Sequence, residues 1–392
     1  MKGKLKIRYV LLVVCLLAVW ATQLLPGWGE GYARFVYPVV SGVLSSFSRL
    51  LPFAVGDLFI FLSLIGLFLY PLWTRHLHTR YPSKQQQQQK KKEEKEKKEK
   101  EKEKEKEKEE KKKKWKQILL NEAEYLLWIY VWFYLAWGLN YSQKDFYGRT
   151  SIPYTAYTPE VFQQFVDDYI EQLNTSYTNI TAIDEPLVCR KSVQGYRQIC
   201  DTLEIHRPPR LSPRVKTMLF TPFISMVGVT GSMGPFFCEF TLNGDLLPSQ
   251  YPATYAHELA HLLGITSEAE ANFYAYQVCT RSQVQAIRFS GYLSILSHVL
   301  GNARQLMEEE EYTVLTDRIR PEIKTLYAQN RAYWLEKYSP LIGSIQDFIY
   351  DLYLKGNRIQ SGRKNYSEVI GLLISYEEAK RRGYRISKNL PD

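Results

Sequence analysis

The sequence predicts a mainly α protein with a small β-sheet, an α+β domain carried behind N-terminal transmembrane helices. Three observations lead there. Two nearly continuous apolar runs, residues 9–25 and 58–73, stand near the amino terminus. One short stretch, Phe236–Leu242, alternates with the two-residue period of a strand, while most later segments repeat at helical spacing. From Tyr255 to His261 the chain reads Tyr-Ala-His-Glu-Leu-Ala-His, an H-E-x-x-H pattern.

The first apolar run follows Lys2, Lys4, Lys6 and Arg8. No A-x-A cleavage pattern comes after it and further spans do, so it reads as an uncleaved first span. The second is introduced by Pro52-Phe-Ala-Val-Gly-Asp57, giving residues 1–83 two transmembrane helices. Val39–Leu51, between them, is moderately apolar and suits a membrane interface. Residues 84–117 are low-complexity, with Gln85–Gln89 followed by Lys/Glu repeats to Lys116. In the strict Glu-Lys stretch, residues i and i+4 carry like charge while i and i+3 attract, so a helix gains little and a solvated tether is expected. A third span is expected within residues 118–141. It is crowded with Trp128, Trp132, Trp137 and several tyrosines, residues enriched at membrane interfaces. Each run is slightly shorter than the roughly 20 residues that cross a bilayer straight. The basic amino terminus and the lysine-loaded loop belong in the cytoplasm by the positive-inside rule. Three spans then put residues 142–392 outside.

The formal net charge of +10 misleads if read globally. Residues 1–83 carry +6 and 84–117 carry +7, against −2 for 118–139 and −1 for 140–392. The folded part is nearly neutral, so nucleic-acid binding has no electrostatic support and no nucleic-acid partner is expected. The five cysteines include no C-x-x-C pair. Cys15 falls in the first span, and Cys238 and Cys279 read as small buried hydrophobes. Cys189 and Cys200 lie close enough in sequence, and in an exported segment, to make a disulfide one option.

The folded domain opens with helical pattern from Thr158 to Ile205, broken by polar residues at Asn174–Ile183. The alternating run Phe236–Leu242 reads as a half-buried strand closed by the turn Asn243-Gly244-Asp245. Next comes the short helix of the H-E-x-x-H pattern. Pro252 suits its first turn, and Leu259, Leu262 and Leu263 would face the core. Gly264 can take the left-handed conformation that ends it, with Ile265 making the usual hydrophobic contact. Helical spacing puts His257 and His261 on one face, where both imidazoles can share a zinc ion, and places Glu258 as general base on the zinc-bound water. The helix is too short and too polar to span a membrane, which excludes an intramembrane protease. Ser267 starts the next helix. Ser267 and Glu270 have capping-box spacing, which would occupy Glu270 with the backbone and leave Glu268 free as third ligand. Both carboxylates stay candidates. Further helices are expected over Ser290–Gln305, most of Leu315–Lys355, and Ser367–Arg382.

Glu268 with Asn272 four residues on resembles the E-x-x-x-D/N pattern of gluzincin metallopeptidases. There the Glu binds zinc and the later residue steadies a ligand histidine. In zincins a strand just before the zinc helix forms the edge of the cleft, where a peptide can add as a strand; an ordinary core strand is the other reading of Phe236–Leu242. Pro52-Phe-Ala-Val-Gly-Asp57, Trp137-Gly-Leu-Asn-Tyr141, Ala256-His-Glu-Leu-Ala-His261, Glu268-Ala-Glu-Ala-Asn-Phe273 and Phe289-Ser-Gly-Tyr292 recur together in one family. The chain resembles that uncharacterised bacterial membrane-protein family, catalogued as a domain of unknown function with a predicted metallopeptidase site. The resemblance covers nearly the whole chain except the Gln and Lys/Glu insert. It implies a zincin-like domain over residues 142–392 and residence in a bacterial inner membrane, with that domain on the periplasmic side.

The expected activity is zinc-dependent hydrolysis of peptide bonds. His257, His261 and Glu268 or Glu270 would bind Zn2+, Glu258 would relay the proton, and a side-chain donor would hold the oxyanion. Tyr292 leads the candidates for that donor, with His298 and Tyr366 behind it. The expected partners are the membrane lipid bilayer and a peptide or protein substrate. The alternative is a non-catalytic, membrane-tethered binding module with a decayed or structural zinc site. The intact Glu258 argues against it, because a structural site has no need of that residue.

Overall fold

The computed structural model describes residues 2–79, 93–209, 213–357 and 368–384. Helices α1 (Lys2–Leu24), α2 (Trp28–Gly31), α3 (Tyr37–Arg49) and α4 (Val55–Thr79) open the chain, followed by α5 (Glu93–Ala136). A 3-10 turn at Gly138–Ser142 leads to α6 (Phe146–Thr150), α7 (Pro159–Ser176) and α8 (Glu185–Ile199). Strands β1 (Lys216–Thr217), β2 (Gly231–Gly234) and β3 (Glu239–Leu242) follow, with α9 (Thr221–Ser225) between the first two. The remainder is helical: α10 (Tyr251–Leu262), α11 (Glu268–Thr280), α12 (Gln285–Ser294), α13 (Leu296–Leu306), α14 (Glu309–Asp317), α15 (Pro321–Lys337), α16 (Pro340–Gly356) and α17 (Val369–Arg381). The chain is mostly helical with one small mixed sheet.

Two compact units form, residues 1–18 with 57–134, and residues 19–56 with 135–392. In the first, polar contacts link the helices: Arg8 pairs with Glu124 at 2.7 Å, Ser63 meets Tyr125 at 2.8 Å, and Asn121 donates to the Tyr70 hydroxyl at 2.8 Å. Apolar side chains such as Val10, Val14, Leu62, Phe68, Leu119 and Leu126 point outward. Ile7–Leu24 and Val55–Thr74 are long and apolar enough to cross a membrane, and each is only 11% buried, unlike the core helix of a soluble protein. The third expected span is not of that grade. Asn121, Glu122 and Glu124 dilute it, and its helix stops at Ala136.

Residues 93–117 are helical, continuous with the apolar turns that follow, where a solvated tether was expected. Lysine and glutamate are good helix formers, and neither glycine nor proline interrupts α5, so a long helix propagates through the charged turns. Gln85–Gln89 lies outside the described residues.

The second unit is built on α10, α11 and α12, packed on one another beside the sheet. Its core includes Phe162, Tyr196, Phe240, Tyr255, Leu259, Phe273 and Phe289, all fully buried. Strand order is β1-β3-β2, with β3 parallel to β1 and antiparallel to β2. The strand is shorter than the alternation implied. Only Glu239–Leu242 pairs, and all four residues are buried because β3 is central and covered on both faces. Cys238 before it sits at φ 45°, outside strand geometry. The edge strands are β1 and β2. The buried Glu239 is neutralised by Lys216, whose ammonium also donates to the Ser48 carbonyl, and it accepts from the Gly56 amide at 2.5 Å.

The unit that carries the H-E-x-x-H helix therefore reaches beyond the expected 142–392 boundary. It draws in Val19–Gly56 and resumes at Leu135. Cys189 and Cys200 are unpaired. One stands on α8 and the other caps its end, about 16 Å apart along the axis, too far for a disulfide.

Candidate metal centre

Helix α10 begins with Pro252 in its first turn and ends as the glycine requires. Gly264 takes φ +93°, and the Ile265 amide reaches back to the Ala260 carbonyl at 3.1 Å. A Cβ on Gly264 would meet the Tyr37 ring at 3.1 Å. That turn has a chemical consequence, because it delivers the Ile265 carbonyl to His261 Nδ1 at 2.7 Å. On the opposite side of the pair, Asn272 Oδ1 meets His257 Nδ1 at 2.8 Å. Both partners are acceptors, so each Nδ1 carries the proton and each Nε2 presents a lone pair.

The two Nε2 atoms face one another at 3.1 Å. Glu268 Oε2 lies 3.1 Å from His257 Nε2 and 3.4 Å from His261 Nε2. Three acceptors thus converge with no donor of their own between them, and all three ligand atoms lie within 4.8 Å of one another. Such a cluster needs a cation. The donor set, two imidazoles and one carboxylate, is that of a zinc site with a position left open for water, so the residues fit the ion. Without a metal the demand falls on a proton. Burial would lower His261, but the Glu268 charge and hydrogen bond outweigh it and raise the group to about 9. Burial would likewise raise Glu268, but His261 and His257 hold it well below the usual carboxylate range.

Supporting residues come from distant parts of the chain. Tyr350 on α16 donates to Glu268 Oε1 at 2.6 Å. Trp137 Nε1 donates to the His261 carbonyl at 3.0 Å, and the Tyr37 hydroxyl to the Leu262 carbonyl at 2.7 Å. Both carbonyls belong to the last turn of α10, where intrahelical partners run out. Sequence reasoning did not find Tyr350, because α16 shows no pattern that singles it out. Trp137 falls in the segment read as a third span, and Tyr37 in the link between the first span and Val39–Leu51.

Glu258 is 4% exposed, and its Oε2 has no hydrogen-bond partner among the described residues. Burial raises its pKa; His257 and His261 oppose this and Glu268 adds to it. Its carboxylate packs against Gly231 on the edge strand β2, where a Cβ would overlap it. Glu270 stands apart from the histidines. It forms a buried ion pair with Arg149 and accepts from the Phe146 amide at 3.0 Å. The capping box was expected to occupy it. Ser267 does cap Glu270's own amide, but the carboxylate is taken by α6 instead.

Tyr292 is placed in aromatic packing between α7 and α11, with ring centroids 6.1 Å from Tyr169 and 5.5 Å from Tyr276. Burial raises it, and its hydroxyl interacts with that of Tyr276. His298 is half-buried, and burial followed by the influence of His257 holds it below its ordinary value. Tyr366 lies outside the described residues.

Fold and site together define a mainly helical protein whose H-E-x-x-H helix and following helix assemble one His-His-Glu group able to hold a metal ion. The chain belongs to the family described as Protein of unknown function (DUF3810), which matches residues 32–374. No curated protein and no solved structure matches it.

Proposed function

We propose that the protein is a membrane-anchored zinc metallopeptidase. One observation carries this reading: the buried, unpartnered oxygen of Glu258 stands on the same helical turn that presents two imidazole lone pairs beside Glu268. His257, His261 and Glu268 would hold the ion. Bound zinc supplies Lewis acidity, lowering the pKa of a water towards about 7 and polarising a carbonyl.

The remaining work belongs to side chains of this chain. Glu258 accepts the proton of the attacking water at its free oxygen, and its raised pKa suits it to hold that proton until the amine departs. As the C–N bond breaks, Glu258 returns the proton to the leaving nitrogen. A side-chain donor would hold the developing oxyanion, and Tyr292, His298 and Tyr366 stay candidates for it. The edge strand β2 lies beside Glu258 at Gly231, and an extended peptide adding to it would run along the centre.

Packing within the second unit supports an outward placement of this site. The loop between the first two spans contributes Tyr37, Ser48 and Gly56 to the same unit as the centre. If α1 and α4 cross, that loop and the centre share one side. The basic amino terminus and the Lys/Glu segment then share the other, which the positive-inside rule assigns to the cytoplasm. The apolar end of α5, Ile118–Ala136, must return through the bilayer. At 1.5 Å per residue it falls slightly short of a hydrocarbon core of roughly 30 Å, so the return needs local thinning of the bilayer. The centre would then face the periplasm of a bacterial cell.

Glu258→Gln tests the activity in the full chain, in detergent, against a pool of fluorogenic peptides. Loss of roughly 10²–10⁴-fold in turnover with zinc retained is expected. Turnover equal to wild type would remove Glu258 from the mechanism.

A further inference from the structure

Helix α16 is amphipathic in the reverse sense. Leu341 (74% exposed), Ile345 (55%), Phe348 (67%), Ile349 (60%) and Leu352 (56%) form an outward apolar stripe at helical spacing. Its sheltered side is polar. Gln346, Asp347, Tyr350 and Asp351 are partly covered, and Tyr350 reaches Glu268 of the metal centre at 2.6 Å. A helix on a water-exposed surface turns these faces the other way.

The orientation is held by defined contacts. The Ser339 amide donates to the Met226 carbonyl at 2.9 Å just before the helix starts. Gly343 lies so close to Tyr338 that a Cβ would overlap its hydroxyl. Met226 closes α9, which also exposes Phe223 (65%). An exposed apolar stripe of this kind marks a contact with something other than water.

The rest of the unit points to the occupant. It includes Val19–Leu24, the last residues of the first apolar helix, and so it adjoins a bilayer wherever that helix crosses one. The stripe contains no charged residue, and Lys355 at the carboxyl end of the helix pairs with Asp351 on the polar side at 2.6 Å. We propose that α16 lies in the interfacial layer of the bilayer, its apolar stripe towards the acyl chains and its polar side roofing the metal centre at Glu268. This rests on the membrane residence argued above and is independent of hydrolysis.

The test places the photoreactive residue benzoylphenylalanine at position 348, and separately at inward-facing position 346, in the full chain reconstituted into phosphatidylcholine–phosphatidylglycerol vesicles. After irradiation, mass spectrometry reads what has been captured. Phospholipid adducts at 348 in excess of those at 346 by about tenfold are expected for a helix lying in the interface. A dimer-sized adduct at 348 would show that a second copy covers the stripe and would overturn the proposal. So would equal lipid capture at both positions, or none at 348. A chain that fails to enter the vesicles would refute the membrane residence itself, whereas one that enters without lipid capture at 348 refutes only the placement of α16.

Discussion

At the scale of single residues, two neighbouring carboxylates on α11 have opposite fates. Glu268 and Glu270 differ by two positions, a rotation that points them to different sides of a helix. Glu268 meets the histidine pair, and Glu270 meets Arg149, where burial would lower the guanidinium but the Glu270 charge outweighs it. Glu270→Ala leaves that cation buried and alone, so it should cost about 3–5 kcal/mol of stability. In chains that still fold it should leave metal binding intact. Thermal unfolding beside metal analysis checks both halves, and loss of metal in a well-folded Glu270→Ala protein would reassign the third ligand. The H-E-x-x-H residues, and the link between Glu268 and Asn272, were legible in the sequence because each lies within one helix at a fixed spacing. The choice between the carboxylates was made there on a capping argument. Arg149, 121 residues away, provides the physical reason instead.

At the scale of elements, the short helix α10 works through its ending. Gly264 allows the left-handed turn, the turn brings the Ile265 carbonyl to His261 Nδ1, and that hydrogen bond decides which nitrogen faces the centre. Gly264→Ala must place a Cβ at φ +93° and against Tyr37, at a cost of about 2 kcal/mol. A lower melting temperature and zinc affinity weakened roughly 10–100-fold are expected, since the ligand's supporting partner shifts. Unchanged affinity by competition with a chromogenic chelator would detach the turn from the site. The sequence read this helix and its cap because proline, histidine, leucine and glycine mark it locally. The strand was legible only in part, since its length and its central place in the sheet were not. Phe236–Leu242 alternates, yet the pairing that makes β3 central comes from β1 and β2, and short glycine-containing β2 (Gly-Ser-Met-Gly) shows no alternation at all. The charged part of α5 escaped for a different reason. Weighing charge pairs alone neglects propagation from the apolar turns that continue the helix.

At the scale of the whole molecule, the unit that holds the centre is assembled from segments that the sequence separates. Tyr37 lies 225 residues from the carbonyl it caps, and Trp137 lies 124 from its own. Trp137 comes from a stretch whose aromatic and apolar character reads as a membrane span, and Tyr37 from the link that precedes Val39–Leu51. Composition records how apolar a residue is and not whether lipid or protein covers it. The same ambiguity hides α16, whose outward leucines and isoleucines look like core until their exposure is known. The anchor and the centre are therefore not a span followed by an independent domain. Residues 19–56 belong to the same unit as the His-His-Glu group, so experiments on the centre should retain them.

The central claim is that His257, His261 and Glu268 converge because a divalent ion belongs among them. The most direct measurement is the zinc content of the purified full-length chain by elemental analysis, beside His261→Ala and Glu268→Ala. One zinc per chain in wild type, lost in both variants with folding retained, is the predicted result. A folded wild-type chain without zinc, or a Glu268→Ala chain that keeps it, would contradict the account.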